Sequence, residues 1–300
     1  MKILLTGGSG QIGEALLADL QSFLPDVSSD IDLTLLMHNN PVSLFNPHRS
    51  SILINFINQV EGHYDVAIHL AAIISTPFCQ KPENRELVLK TNVGLTRNIC
   101  DHADFTILVS TDNVFKGNER RELSETDVPD PCNFYGMSKL EAEKVVVDGG
   151  GAVVRIQTMF GCRNLITTAA INTVRGKPHS PFWNDTYSRP SFLPDLAKTL
   201  KVLLARRVSG LYHCSTIGGM FSRADIAKRV LDFFREHDLP HQIDAISEEP
   251  CSVPLFPRHL VLNSEATRCN LGVEFTLTNE ALDRHLVSIL IPGSQTEVRP

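Results

Sequence analysis

Tyr135 and Lys139, in the run Tyr135-Gly136-Met137-Ser138-Lys139, stand four residues apart. On a helix that spacing places both on one face. An ammonium beside a phenol favours the phenolate and lowers the tyrosine pKa, so Tyr135 is expected to exchange a proton with a substrate oxygen near neutral pH. Upstream, Ser110 and Thr111 lie at the end of the apolar run Phe105–Val109. They are expected at the carboxyl end of a buried strand, where open α/β sheets bind ligands. A Tyr/Lys pair at this spacing also occurs on ordinary amphipathic helices, so its weight comes from what accompanies it.

What accompanies it is a glycine-rich turn. Thr6-Gly7-Gly8-Ser9-Gly10-Gln11-Ile12-Gly13 directly follows the apolar run Ile3-Leu4-Leu5, which predicts a buried strand turning sharply into a helix near Gln11. Glycines let the backbone approach a pyrophosphate, and the helix N-terminus offers unpaired N–H groups and a positive dipole end. Such turns also arise simply where a strand-to-helix turn needs positive φ. A glycine turn, a strand-end Ser-Thr and a Tyr-x3-Lys in this order are much rarer together than singly.

With these motifs, the stretch from Asp65 to Ala72 and Asn92, the chain resembles the extended short-chain dehydrogenase/reductase family. Within it, Ser110 to Gly117, Glu125 to Asp127 and Tyr135 to Glu143 resemble the dTDP-4-dehydrorhamnose reductase group. Arg189 to Ala197, Gly210 to His213 and Pro257 to Leu262 agree. Asn113 and Lys116 depart from that group, which usually has Tyr and Asp there, and Arg258-His259 replaces its usual Arg-Pro.

The resemblance implies that Thr111 hydrogen-bonds a substrate oxygen, Tyr135 donates its proton, and Lys139 holds the nicotinamide ribose. It sets the cofactor phosphates on Gly7, Gly10, Gln11, Ile12 and Gly13 and the adenosine side along Leu70, Ala71 and Ala72, near His38. Asn92 and Ser110 complete the expected cofactor site. Substrate contacts are expected from Asp112, Met159, Asn164, Trp183 and Arg189, with Arg258 as a further candidate. An acid closing the second strand would bind the ribose of NAD. That strand ends Leu36-Met37-His38-Asn39-Asn40, which favours NADP while leaving NAD open.

The implied reaction is hydride transfer by a nicotinamide, foremost the reduction of a nucleotide-linked 4-keto-6-deoxy sugar. Two alternatives stay open: an NAD-dependent nucleotide-sugar epimerase or dehydratase, and a cofactor-binding regulatory subunit like the methionine adenosyltransferase beta subunit. Family dehydratases usually carry two acids after the strand-end Ser/Thr, and here Asp112 is followed by Asn113.

The elements that must position these residues alternate. Ile3–Leu5, Leu33–Met37, Val66–Leu70, Thr106–Val109 and Ala152–Ile156 are strand candidates; Gln11–Phe23, Pro82–Cys100 and Tyr135–Val147 have helical spacing. The alternation predicts an α/β fold, a Rossmann-type doubly wound parallel sheet. Asn39 to Ser50 is expected to be a loop. Residues 1–160 are expected to form the cofactor domain and 161–300 a smaller mixed substrate-binding region, with about 188–212 packing back on the sheet. Helices are expected over Leu165–Arg175, Pro194–Ala205, from Ser222 to about Glu236 behind a capping box, and over Leu277–Leu290, with a strand at Leu211–Ser215.

The hydrophobic and charged fractions, 42% and 21%, suit a globular domain. A net charge of −6 provides no basic face for nucleic acid or anionic membrane, so the expected partner is a small molecule, and a homodimer stays open. Seven unpatterned cysteines suit a reducing compartment. No metal site is expected: Pro240 breaks the helix between the best-spaced ligands, His237 and His241. No apolar run approaches the roughly 18 residues of a membrane helix, and a cytoplasmic location is expected.

Overall fold

The computed structural model describes residues 1–18, 32–36, 52–53, 60–253 and 256–291. Short apolar runs build a seven-stranded sheet from β1 (Lys2–Thr6), β2 (Asp32–Leu36), β3 (Ile52–Leu53), β4 (Val66–His69), β5 (Thr106–Thr111), β6 (Ala152–Ile156) and the Gly210–Cys214 strand. From one edge the order is Gly210–Cys214, β6, β5, β4, β1, β2, β3, and every neighbouring pair is parallel. The winding direction reverses between β1 and β4. A crevice therefore opens at their carboxyl ends, where doubly wound sheets take ligands.

Period-2 alternation assigns the two faces. Ile3, Leu5, Ile68, Ile107, Val109 and Val154 point to one side, against Leu196, Leu200 and Leu203 of the Leu193–Arg206 helix. Leu4 and Ala67 point to the other, against Leu95 and Ile99, as do Leu108 and Val153 against Ala142 and Val146. Both faces are covered, which is why the strands are continuously apolar.

A second core gathers Phe160, Phe182 and Phe192 with the Leu165–Val174, Arg223–Glu236 and Thr278–Leu290 helices. The Arg223–Glu236 helix has the expected capping box: Ser222 and Asp225 satisfy each other's backbone amides. Chain crossings join the two cores. Met159–Phe160 pairs in parallel with Ser191–Phe192, after which the Leu193–Arg206 helix and the Gly210–Cys214 strand return to the sheet.

The Pro82–Cys100 segment departs from the single helix its spacing predicts. It is a short 3-10 turn (Pro82–Asn84), an α-turn (Arg85–Leu89), a π-turn (Lys90–Gly94) and a final α-helix (Leu95–Asp101). Wide turns of this kind concentrate at functional sites, and this one buries Asn92. The short Glu265–Leu271 helix, too brief to show periodicity, was not expected from sequence. The Gln11 helix is described as far as Ala18. His38 and the Asn39 to Ser50 segment lie outside the described residues.

Leu200 is fully buried where the Leu193–Arg206 helix meets the sheet. Leu200→Ala is expected to cost about 2–5 kcal/mol, measured by urea unfolding; a loss below about 1 kcal/mol would contradict this packing.

Candidate active site

The turn after β1 is shaped by glycines whose hydrogens face backbone. Gly7 has φ +74°, and a Cβ there would sit 2.7 Å from the Ala71 amide nitrogen. A Cβ on Gly13 would overlap the Gly7 carbonyl oxygen. Both glycines are therefore needed by the fold itself. Gly10 is different, since its Cβ would meet only the Gly7 oxygen, at 3.2 Å. The Gly10 amide donates to Gly7 O at 2.9 Å and the Glu14 amide to Gly10 O at 2.8 Å. The Gln11, Ile12 and Gly13 amides thus form the first turn of the helix, ahead of its first intrahelical bond. A glycine-rich turn leading into first-turn helix amides fits the pyrophosphate of a dinucleotide.

Beside it, a cavity of about 400 Å³ opens at the strand ends. Gln11, Ile12, Leu70 and Ala72 line its loop side, and Ser110, Thr111, Asp112, Tyr135, Lys139 and Met159 line the rest. The spacing-based expectation of one shared face for Tyr135 and Lys139 therefore holds. Ala71 lies behind the wall, its amide donating to Thr6 Oγ1 at 3.3 Å.

The expected lowering of the phenol is corrected by the structure. Burial pushes the Tyr135 phenol well above its ordinary value, and the adjacent Thr111 hydroxyl offsets only part of that. The Lys139 ammonium donates to the Val109 carbonyl oxygen at 3.0 Å. Burial lowers Lys139 to about 8, against the opposing pull of Glu143 one turn along the helix. Tyr135 is thus held neutral, as a proton donor. Asp112 is buried and raised by desolvation, although it accepts from Asn113 Nδ2 at 2.9 Å and Gln157 Nε2 at 3.1 Å.

Ser110 lines the cavity, but its hydroxyl is donated to Glu143 Oε1 at 2.5 Å. Glu143 is in turn clasped by the Arg155 guanidinium, with a contact of 2.7 Å and both side chains buried. Sequence alone did not show this pair, because a Glu on a helix and an Arg on a strand carry no signal that they meet.

Asn92 does not line the cavity. Its amide joins two segments, accepting from Ile73 N at 2.8 Å and donating to Ser138 Oγ at 2.9 Å. It is also one station of a buried hydrogen-bonded chain. Thr6 Oγ1 lies 2.6 Å from His69 Nδ1, and His69 Nε2 lies 3.0 Å from Thr96 Oγ1. Thr96 gives its proton to Asn92 O at 2.7 Å, and Ser138 gives its own to Tyr135 O at 2.8 Å. Because the Thr96 proton is committed, His69 must donate from Nε2 and accept from Thr6 at Nδ1. Burial, with Lys139 nearby, lowers His69 to about 3, so it stays neutral. The glycine turn and the Tyr135 helix are connected through groups of fixed polarity.

On the substrate side, the structure redistributes the expected roles. Arg189 is buried and bonded to Glu122 at 2.6 Å, Gly218 O at 3.0 Å and Leu262 O at 3.3 Å. It lines neither this cavity nor its neighbour and ties three segments together. Arg258 likewise pairs with Asp185 at 3.3 Å and Cys251 O at 2.6 Å. A second cavity of about 560 Å³ adjoins the first, sharing Gln11, Thr158, Met159 and Arg223 with it. Asn164 and Trp183 line this second cavity. Asn164 is occupied as an N-cap, accepting from the Ile166 and Thr167 amides. The Trp183 ring is covered by Arg223. Sequence reasoning missed Arg223; the signal was an arginine in the first helical turn, where acids are favoured.

The sheet order and the glycine turn define a protein of the doubly wound α/β class, with a Tyr/Lys pair at the strand ends. The chain belongs to the RmlD substrate binding domain family, whose profile matches residues 1–290. It is 24% identical over 278 residues to a dTDP-4-keto-6-deoxy-D-glucose reductase of Streptomyces niveus, covering 88% of this chain and 89% of that protein. It is 25% identical over 232 residues to the Mus musculus methionine adenosyltransferase 2 subunit beta, covering 71% of this chain and 66% of that one. Among solved structures it matches the dTDP-4-dehydrorhamnose reductase of Bacillus anthracis in complex with NADP, with a TM-score of 0.75 at 20% identity, over 96% of this chain and 98% of that one.

Gly10 separates the cradle from the fold. Gly10→Ala is expected to weaken dinucleotide binding by roughly tenfold or more while the chain still melts cooperatively, measured by calorimetric titration. Unchanged affinity would remove the pyrophosphate from this turn.

Proposed function

We propose that the chain is an NAD(P)-dependent reductase of a nucleotide-linked 4-keto-6-deoxy sugar, with NADP the favoured cofactor. The observation that carries this reading is the buried, neutral Tyr135 in the same cavity as Thr111 and Lys139, beside the glycine cradle. When bound, the nicotinamide would supply the hydride. Gln11, Ile12 and Gly13 would hold the pyrophosphate on their amides, and Lys139 would meet the ribose. Tyr135 donates its proton to the substrate oxygen as negative charge grows there, and Thr111, accepting from the Asn113 amide at 3.2 Å, helps place that oxygen. The relatives' names support the same chemistry, as does the lack of an acid at the end of β2 for the cofactor choice.

A phenol held neutral suits a reductase more than an epimerase, which must begin by taking a proton from an alcohol. The likeness to a regulatory subunit supports a second reading, in which the fold binds cofactor without turnover. Intact Thr111, Tyr135 and Lys139 in one cavity favour the enzyme.

Tyr135→Phe is expected to lower kcat by about 10²–10⁴-fold with cofactor affinity unchanged, measured by NADPH oxidation on dTDP-4-keto-6-deoxy sugars and by calorimetry; full activity in the variant would exclude Tyr135 as the acid. The Lys139 ammonium prevails below about 8, so kcat/KM should fall as pH rises through that value. A profile flat to well above it would show that the charge on Lys139 is not needed.

A further inference from the structure

Among the described residues Arg223 has no carboxylate partner, and it packs instead against two aromatic rings. Its guanidinium carbon lies 4.1 Å from the centroid of the Trp183 ring and 5.1 Å from that of Phe256, and the two rings meet edge to face at 4.9 Å. Among the described residues no carboxylate comes within salt-bridge distance of it. The acids of neighbouring elements are engaged elsewhere: Asp225 in the capping box, Glu248 with Lys228 at 2.8 Å, and Asp185 with Arg258.

The position is costly for a positive charge. Arg223 stands in the first turn of the Arg223–Glu236 helix, where the macrodipole disfavours cations. Burial also lowers its pKa. Arg223 is half-buried; a cation drawn partly out of water is favoured by an anionic partner, and this one lines both cavities of the site. Arg163 lines the second cavity as well, and it too has no salt bridge among the described residues.

We propose that Arg223, backed by Trp183 and Phe256 and joined by Arg163, grips the diphosphate of a nucleoside diphosphate sugar. The proposal rests on the reductase reading above and assigns the anionic half of its substrate to a named pair of guanidinium groups. Stacking on the rings occupies a face of the Arg223 guanidinium and leaves its N–H edge free. A planar fork of donors matches phosphate oxygens. Trp183 is then the platform that orients the arginine. Arg189 has a different role in this arrangement. Its two terminal guanidinium nitrogens already bond Glu122, Gly218 and Leu262, so it ties those segments together while Arg223 faces the ligand.

The test is calorimetric titration of the full chain with dTDP, UDP and GDP, with thymidine and inorganic pyrophosphate as controls for the base and for the phosphates alone. The wild type should bind at least one of the three diphosphates and bind thymidine far more weakly. Arg223→Met should weaken that diphosphate by roughly tenfold or more and leave NADPH affinity unchanged, which also shows that the variant is folded. Arg163→Met, on an exposed side chain, should weaken it by a smaller factor without touching the stacked rings. Binding within twofold of wild type in Arg223→Met, thymidine binding as tight as dTDP, or no binding of any of the three would overturn the proposal. Reduction of a keto sugar by a wild type whose diphosphate affinity ignores Arg223 leaves the reductase reading standing and removes the clamp. Diphosphate binding that depends on Arg223, with no reduction of any keto sugar, does the reverse.

Discussion

The Phe134–Asp148 helix is held against the sheet by polar groups, and the rest of the site depends on that attachment. Its buried face carries Tyr135, Ser138, Lys139 and Glu143 beside Ala142 and Val146. Polar groups can be buried only where each finds a partner. Ser138 bonds Asn92, Lys139 bonds Val109 O, and Glu143 is clasped by Arg155 and Ser110. Gly136 allows the close approach at the helix start, where a Cβ would overlap the Asn113 carbonyl oxygen. Sliding the helix by one residue would strand each of these groups, so its register is fixed more firmly than apolar contacts could fix it. The same partners put Tyr135 at the strand ends, where burial keeps its phenol protonated.

The link to the cofactor side follows from that register. The Ser138 hydroxyl receives a proton from Asn92, and Asn92 O receives one from Thr96, whose oxygen accepts from His69. His69 accepts from Thr6, at the root of the glycine turn. A neutral His69 of fixed tautomer makes this a rigid brace, positioning the cradle and the acid relative to each other. Across the cavity the Gln157 side chain plays a comparable part, bonding Asp112, the Leu260 carbonyl and the Arg189 amide. The carboxyl end of β6 is thereby stitched to the segments that close over it.

The parts of the fold legible in the sequence were those set by local pattern. Ile3–Leu5, Ala152–Ile156 and the capping box at Ser222 announce their elements because periodicity and caps are short-range properties. The glycine turn and the Tyr135/Lys139 pair were equally legible, their spacing alone carrying the geometry. What sequence could not show was who partners whom. Spacing suggested that Lys139 would acidify Tyr135, whereas burial dominates and the ammonium gives one of its protons to Val109 O. Arg189 looked free for a ligand until Glu122, 67 residues away, was found on it. Arg223 carried no sequence signal beyond its place in a first helical turn, since stacking on Trp183 and Phe256 is a long-range contact. The π-turn at Lys90–Gly94 was hidden for the same reason, since its register answers to the Ile73 backbone rather than to its own neighbours.

In the proposed reaction Tyr135 gives a proton to the substrate oxygen and a bound nicotinamide would supply the hydride, so net reduction is the central claim. Its most direct test uses NADPH deuterated at the transferring position, mixed with wild-type protein and a dTDP-4-keto-6-deoxy sugar and followed by mass spectrometry of the sugar. One deuterium should appear on the product's C4 for each NADPH oxidised. A sugar changed without consumption of the cofactor, or a cofactor bound and never oxidised by any such sugar, would contradict it.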